Sequence, residues 1–143
     1  IKMLKVLIVD DSLVIRAKMK GYIKKLGHSV IGEAKDGQDA VLMNEKLSPD
    51  LITMDVSMPI MNGLEALKKI METSNIEETN IIMITANGQD GIVKDALKSG
   101  AKGYILKPIS EEKLQDSIGK IFPQYGIEDN DFLDENDLNE MLS

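Results

Sequence analysis

Five short apolar runs punctuate the first part of the chain: Met3–Val9 (MLKVLIV), Ser29–Ala34 (SVIGEA), Leu51–Met54 (LITM), Ile81–Thr85 (IIMIT) and Gly103–Leu106 (GYIL). Their shortness and their content of Val and Ile predict strands covered on both faces. Helix-period stretches lie between them. In the first, Ile15, Met19, Ile23 and Leu26 recur at steps of four and three, while Arg16, Lys18, Lys20 and Lys24 fall on other faces. Asn62-Gly63-Leu64-Glu65 opens another with a cap and an acid three residues on, the layout of a capping box. Ser110 ahead of Glu111 and Glu112 opens the last, with acids placed to complement the helix dipole. Gly27 and Gly100 stand where helices should stop, and Gly119 with Pro123 marks the end of the fifth. A strand–helix unit repeated five times over residues 1–122 predicts an α/β fold, a parallel sheet with helices on both faces.

Sheets of this kind bind ligands outside the carboxyl ends of their strands. The residues just after each run are Asp10 and Asp11, Asp36 and Gly37, Asp55, Thr85 and Ala86, and Lys107 and Pro108. Taken singly, each has an ordinary reading. An Asp pair before a helix is a cap, Asp55 and Lys107 are turn residues, and Thr85 is a β-branched strand end. Together they make a chemical site. Carboxylates gathered at adjacent strand ends repel one another unless a cation compensates. A hard divalent ion such as Mg2+ takes oxygen ligands from one or two carboxylates, waters and a phosphate oxygen. Lys107 adds a second cation and Thr85 a hydroxyl, so the crevice suits a phosphoryl group. The turn Asp10-Asp11-Ser12 lacks the glycines and open N–H groups of a nucleotide or flavin site. The more natural idea is a carboxylate that itself accepts the phosphoryl group.

Composition removes other classes. The 143 residues suffice for one domain with a core of its own, and 43% hydrophobic with 29% charged residues is a globular balance. No Cys excludes disulfides and thiolate chemistry, and the single His28, read as a solvated turn residue after Gly27, excludes a zinc site of several imidazoles. No apolar run approaches the ~20 residues of a membrane helix and the start has no signal-peptide layout, so a cytoplasmic protein, trimmed before Ile1, is expected. The nine Met are scattered and read as core filling. The net charge of -7 is unevenly held: residues 124–143 carry seven acids and no Lys or Arg, leaving 17 acids against 17 bases before them. A neutral body gives no attraction for nucleic acid. The tail reads as a linker with a short amphipathic helix, since Leu138, Met141 and Leu142 share a helical face, or as a solvated acidic appendage.

VLIVDDS at 6–12, MDVSMPIMNGLE at 54–65, Thr85-Ala86 and GYILKP at 103–108 resemble the receiver domains of two-component response regulators, with the stand-alone chemotaxis (CheY-like) type the most similar. The resemblance covers residues 3 to about 122 and implies a flavodoxin-like three-layer sandwich with strand order 2-1-3-4-5. It divides the chain into a receiver domain, 1–123, and an acidic tail, 124–143. It implies that Asp55 accepts a phosphoryl group from a histidine kinase. Asp10, Asp11, Asp55 and the carbonyl of Ser57 would organise Mg2+, Thr85 and Lys107 would bind the phosphoryl oxygens, and Thr85 with Tyr104 would form the switch. Output would pass to a downstream protein through the face of the fourth helix, fifth strand and fifth helix, in a monomer or weak dimer with no nucleic-acid or membrane contact. The chain would not be an enzyme beyond slow autodephosphorylation, which the small polar Ser57 and Asn87 would not block. The rival readings are a receiver-shaped adaptor that takes no phosphate, and a Mg2+-dependent aspartyl-phosphate phosphohydrolase. The latter commonly carries its nucleophile in an Asp-x-Asp element, which Asp10-Asp11-Ser12 does not match.

Overall fold

In a computed structural model of the chain, residues 3–75, 77–88 and 90–125 are described. The elements run β1 (Lys5–Val9), α1 (Leu13–Lys25), β2 (Ser29–Ala34), α2 (Gly37–Leu47), β3 (Leu51–Asp55), α3 (Gly63–Thr73), β4 (Ile81–Thr85), α4 (Asp90–Lys98), β5 (Gly103–Leu106) and α5 (Glu111–Ile121), closed by a 3-10 turn at Pro123–Tyr125. All strand pairs are parallel and the sheet order is β2-β1-β3-β4-β5, as the resemblance implies. The predicted tail helix lies outside the described residues.

Strand alternation sorts the apolar side chains into two cores. Leu7, Val9, Ile52, Met54, Ile81 and Met83 face Ala40, Ala66, Leu67, Ile70 and Ala96 of α2, α3 and α4. Val6, Ile8, Leu51, Ile82, Ile84 and Ile105 face Met19 and Ile23 of α1 and Leu114 and Ile118 of α5. With two faces buried, a one-residue slip would move every side chain into the opposite core, so the register is strongly specified. The three central strands are buried almost throughout, whereas β2 and β5 are edges. In β5 only Ile105 is fully covered, and Tyr104 and Leu106 are exposed, against the expectation of cover on both faces. An edge strand has a neighbour on one side only, so one row of cover is missing.

The caps follow the sequence. Ser12, Asp36, Asn62 and Ser110 each accept a backbone N–H from three residues on, at 3.3, 2.7, 2.9 and 3.1 Å. Asp36 therefore serves α2 as its cap and is not one of the clustered acids. Gly27 and Gly100 end α1 and α4 with φ of 88° and 112°, the left-handed region open to glycine. α5 ends at Ile121, between Gly119 and Pro123 as expected, with Ile118 buried and Ile121 partly buried on the core. One expectation is corrected. His28 is not solvated: it is 6% exposed, its Nδ1 accepts the Leu4 N–H at 3.1 Å, and its ring meets Tyr125 edge-on at 4.7 Å. The apolar run starts at Met3 but pairing starts at Lys5, and the imidazole satisfies the amide left over before the strand.

Burial lowers the His28 pKa below its ordinary value of 6.5. Because the folded protein holds the neutral ring, this contribution to stability is complete above pH 6.5 and is lost as pH falls through the lower folded value. Thermal unfolding followed between pH 7.5 and 5 should show a fall in Tm that is flatter in His28→Leu. That variant should also be less stable at pH 7.5 by about 1–3 kcal/mol, since the Leu4 amide loses its acceptor.

Candidate functional site

The sheet brings the ends of β1, β3, β4 and β5 to one edge. Val9 is in register with Met54, and Asp55 with Ile84, so Asp10 and Asp55 arrive side by side on adjacent strands. Both are 3% exposed, while Asp11 is open to solvent. One carboxylate oxygen from each of Asp10, Asp11 and Asp55 lies within 4.8 Å of the others. Lys107, just past β5, reaches across with its Nζ 3.4 Å from Asp10 Oδ2 and 3.3 Å from Asp55 Oδ1. The Lys107 N–H donates to the Thr85 carbonyl at 2.8 Å, and the Lys107–Pro108 peptide is cis. The backbone hydrogen bond holds Lys107 beside the end of β4, next to the crevice.

Three carboxylates against one ammonium leave the cluster net negative. Burial, then the neighbouring Asp10 and more weakly Asp11, push the Asp55 carboxyl up to about 6, with Lys107 opposing. Burial disfavours the Lys107 charge, but Asp55 and Asp10 outweigh it and raise its pKa. The donor set is all oxygen, small and short of positive charge, which fits Mg2+ and excludes a soft thiophilic ion. Asp10, Asp11 and Asp55 are the side chains that could hold such an ion. Ser57 lies two residues past Asp55 in the exposed loop before α3.

Thr85 sits at the end of β4, 4% exposed. Its hydroxyl donates to the Asn87 carbonyl at 2.9 Å and accepts the Asn87 N–H at 3.0 Å, so it is closed on its own loop. Tyr104, two strand positions before Leu106, is 46% exposed on the outer side of β5. The structure thus brings Asp10, Asp11, Asp55 and Lys107 into one cluster, with Thr85 at its border. Ser57 is in the adjoining loop, and Tyr104 is turned outward away from it.

Two residues that sequence reasoning passed over hold this cluster in place. Arg16 Nη1 donates to the Asp10 carbonyl at 2.7 Å and its Nε to Glu33 Oε1 at 3.2 Å, while Lys20 reaches Glu33 Oε2 at 2.8 Å. The Lys20 hydrogen bond, supported by Arg16 and opposed by partial burial, lowers the Glu33 pKa. Nothing in the spacing of α1 separates Arg16 from its solvated lysines; only the pairing of β1 with β2 does. Gly63, read as part of a cap, lies against the backbone of Asp55. A Cβ there would collide with the Asp55 carbonyl oxygen, and its N–H donates to the Val56 carbonyl at 2.8 Å. A hollow of about 870 Å3 lies at the opposite end of the sheet between Leu4, Asp50, Asn80 and Tyr125. It takes no part in this cluster.

A parallel sheet of order 2-1-3-4-5 with three acids and a lysine at its carboxyl edge defines a class, the receiver domain. The chain belongs to the response regulator receiver domain family, whose model matches residues 6–119. It is 41% identical over 117 residues to the chemotaxis protein CheY of Thermotoga maritima, a match covering 82% of this chain and 96% of that protein. To the CheY of Bacillus subtilis it is 40% identical over 116 residues, covering 81% and 95%. Among solved structures it is similar to the CheX–CheY–BeF3–Mg2+ complex of Borrelia burgdorferi, with TM-score 0.80, 35% identity and coverage of 83% and 89%. No helix among the described residues is long and apolar enough to cross a membrane.

The raised Asp55 pKa has a sign that can be tested. Folding shifts it upward from 3.8 to about 6, so the folded state loses stability as pH rises through that window, by on the order of 3 kcal/mol once the carboxyl is fully charged. Without divalent metal, Asp55→Asn should therefore unfold at a higher temperature than the parent at pH 7.5, and the difference should shrink toward pH 4. Added Mg2+ should raise the parent's Tm and leave the variant's nearly unchanged. Gly63→Ala should cost on the order of 1–3 kcal/mol through the forced backbone shift, and should weaken Mg2+-induced stabilisation as well.

Proposed function

We propose that this chain is a phosphorylation-activated switch in which Asp55 takes a phosphoryl group from the phosphohistidine of a partner kinase. The observation that carries the reading is the Asp10–Asp11–Asp55 cluster bridged by Lys107. It is a buried nucleophile flanked by metal-type carboxylates and by a cation placed for an incoming anion. Pushed up to about 6, the Asp55 carboxyl is still mostly ionised at neutral pH and so able to attack.

In the transfer, a carboxylate oxygen of Asp55 forms a bond to phosphorus while the bond from phosphorus to the donor's imidazole nitrogen breaks. If its other ring nitrogen already carries a proton, the donor leaves as neutral imidazole; otherwise it leaves as imidazolate and takes a proton from water. Asp10, Asp11, Asp55 and the Ser57 carbonyl would hold Mg2+, which would supply charge neutralisation for the phosphoryl oxygens. Lys107 pairs with those oxygens as its present partner Asp55 gives up its charge to the acyl phosphate, a mixed anhydride. Thr85 exchanges its hydrogen bonds to Asn87 for one to a phosphoryl oxygen. The space it leaves beside β5 admits the ring of Tyr104, and the altered face of α4, β5 and α5 is what a downstream protein reads. Such a switch needs a differential stabilisation of only a few kcal/mol between two states. A CheY relative crystallised with BeF3 and Mg2+, and the CheY proteins at 40–41% identity, support a place in chemotaxis signalling. Small polar groups at Ser57 and Asn87 leave a path for water, so the phosphoryl group is lost by slow hydrolysis.

Incubation with acetyl phosphate and Mg2+ should add the mass of one phosphoryl group, labile at high pH. Asp55→Asn should abolish it, and Lys107→Ala should strongly reduce the accompanying change in Tyr104 environment. No adduct from acetyl phosphate or from a phosphorylated kinase would overturn the switch reading. Turnover of added phosphomonoesters would favour a phosphohydrolase instead.

A further inference from the structure

The outer side of β5 carries a groove of about 470 Å3 between α4 and α5. Its floor is apolar and open to solvent: Leu97 is 45%, Tyr104 46% and Leu106 42% exposed. Its rim is basic, with Lys102, Lys113 and Lys120 against Asp116. The exposed Lys120 pairs with Asp116 at 3.3 Å. Lys113 donates only to the carbonyls of Leu106 and Pro108, at 3.2 and 3.0 Å. Lys102 donates to the Glu77 carbonyl and to Asn80 Oδ1, both at 2.7 Å. Two ammonium groups on this rim therefore meet no carboxylate among the described residues. A second hollow shares Lys102 and Lys120 with the groove and runs on to Ile121 and Phe122, just before the described chain stops at Tyr125.

The sequence beyond Tyr125 is complementary in both respects. Residues 126–143 hold Glu128, Asp129, Asp131, Asp134, Glu135, Asp137 and Glu140 with no Lys or Arg, and Leu138, Met141 and Leu142 repeat at helical spacing. This stretch lies past residue 119, where the family match ends, and CheY relatives matched over nearly their whole length cover only 81–82% of this chain. Reach is not limiting. From Lys120 back to Lys113 along α5 is roughly 10 Å at 1.5 Å per residue. Residues 126–132 can span about 20 Å when extended.

We propose that the groove between α4 and α5 is a docking site for this chain's own segment 134–142, apolar side on Leu97, Tyr104 and Leu106 and acids against Lys113 and Lys120. An acidic amphipathic segment laid in a basic-rimmed apolar groove is a helix-in-groove mode of recognition, made intramolecular by a short tether. The occupant covers the α4–β5–α5 surface proposed for output, so the unphosphorylated chain competes with its own downstream partner. The inference rests on that surface assignment but not on phosphorylation, and its test needs neither phosphoryl donor nor metal.

Since the chain contains no Cys, a nitroxide on Asn139→Cys in the full-length protein reports one position. Amide signals of Leu97, Tyr104, Leu106 and Lys113 should lose most of their intensity, while those of β2 keep theirs. The loss should be reversed by about 0.5 M salt, which screens exposed charges. It should also be reversed in Lys113→Glu/Lys120→Glu, and retained in Lys113→Arg/Lys120→Arg. Undiminished signals on this face would overturn the proposal. So would broadening seen only on an isotope-labelled chain mixed with a separate nitroxide-bearing chain, which would mean a second copy. If the charge-reversed variant does not fold, the salt and mixed-chain measurements decide alone. Failure here with a normal Asp55 adduct would leave the switch reading standing.

Discussion

Mutual repulsion among Asp10, Asp11 and Asp55 is the constraint around which the rest of the molecule is arranged. Two of these carboxylates are almost wholly buried and all three converge within 4.8 Å, an arrangement a free chain would avoid. Lys107 offsets part of the repulsion, being within 3.4 Å of both buried acids, but one ammonium cannot neutralise three carboxylates. Burial and the remaining negative charge together leave Asp55 with a carboxyl pushed up to about 6. Under the proposed function, a divalent cation would offset the same charge and so admit an anionic phosphoryl group.

Holding like charges together requires a scaffold that does not relax. The two cores supply it: each central strand is locked on both faces, so β1 and β3 cannot slide to separate Asp10 from Asp55. Local ties complete the restraint at the strand ends. Arg16 holds the Asp10 carbonyl, the Ser12 N–H donates to Asp10 Oδ1 at 2.8 Å, and the absent side chain of Gly63 lets α3 begin against Asp55. The His28 contact plays a comparable part at the opposite end, where it satisfies the Leu4 amide and packs the closing turn against β1. Electrostatic strain is thus confined to the carboxyl edge, where it is chemically useful.

Most of this is legible in the sequence because it is written in local signals. Periodicity locates the five strands and five helices, and Asp, Asp, Thr and Lys at successive strand ends mark the site. The misreadings share a cause. His28 looks solvated because it comes after a helix-stopping Gly, yet its environment is set by Leu4 and Tyr125, both remote along the chain. Arg16 looks like its lysine neighbours because its partners, Asp10 and Glu33, meet only once β1 and β2 pair. Non-local contacts of this kind leave no trace in spacing.

Strand order also sets the carboxyl-edge cluster beside an exposed side face. In β5, Ile105 packs into the core shared with α1 and α5, so its neighbours Tyr104 and Leu106 must project to the other side of the sheet. There β5 is the edge, and Tyr104 lies outside Met83, its partner on β4, with no strand beyond it to provide cover. The next residues along the same strand are Lys107 and the cis Pro108, the first of which pairs with the acid cluster. A single four-residue strand therefore leads into the cation of the site at its end and carries an exposed aromatic on its flank. Thr85, in register with Leu106, stands between them on β4 with its hydroxyl closed on Asn87. Under the proposed function, an anion that drew Lys107 and Thr85 inward would act on the backbone that displays Tyr104. No longer path through the core is needed, because site and surface are neighbours along one strand.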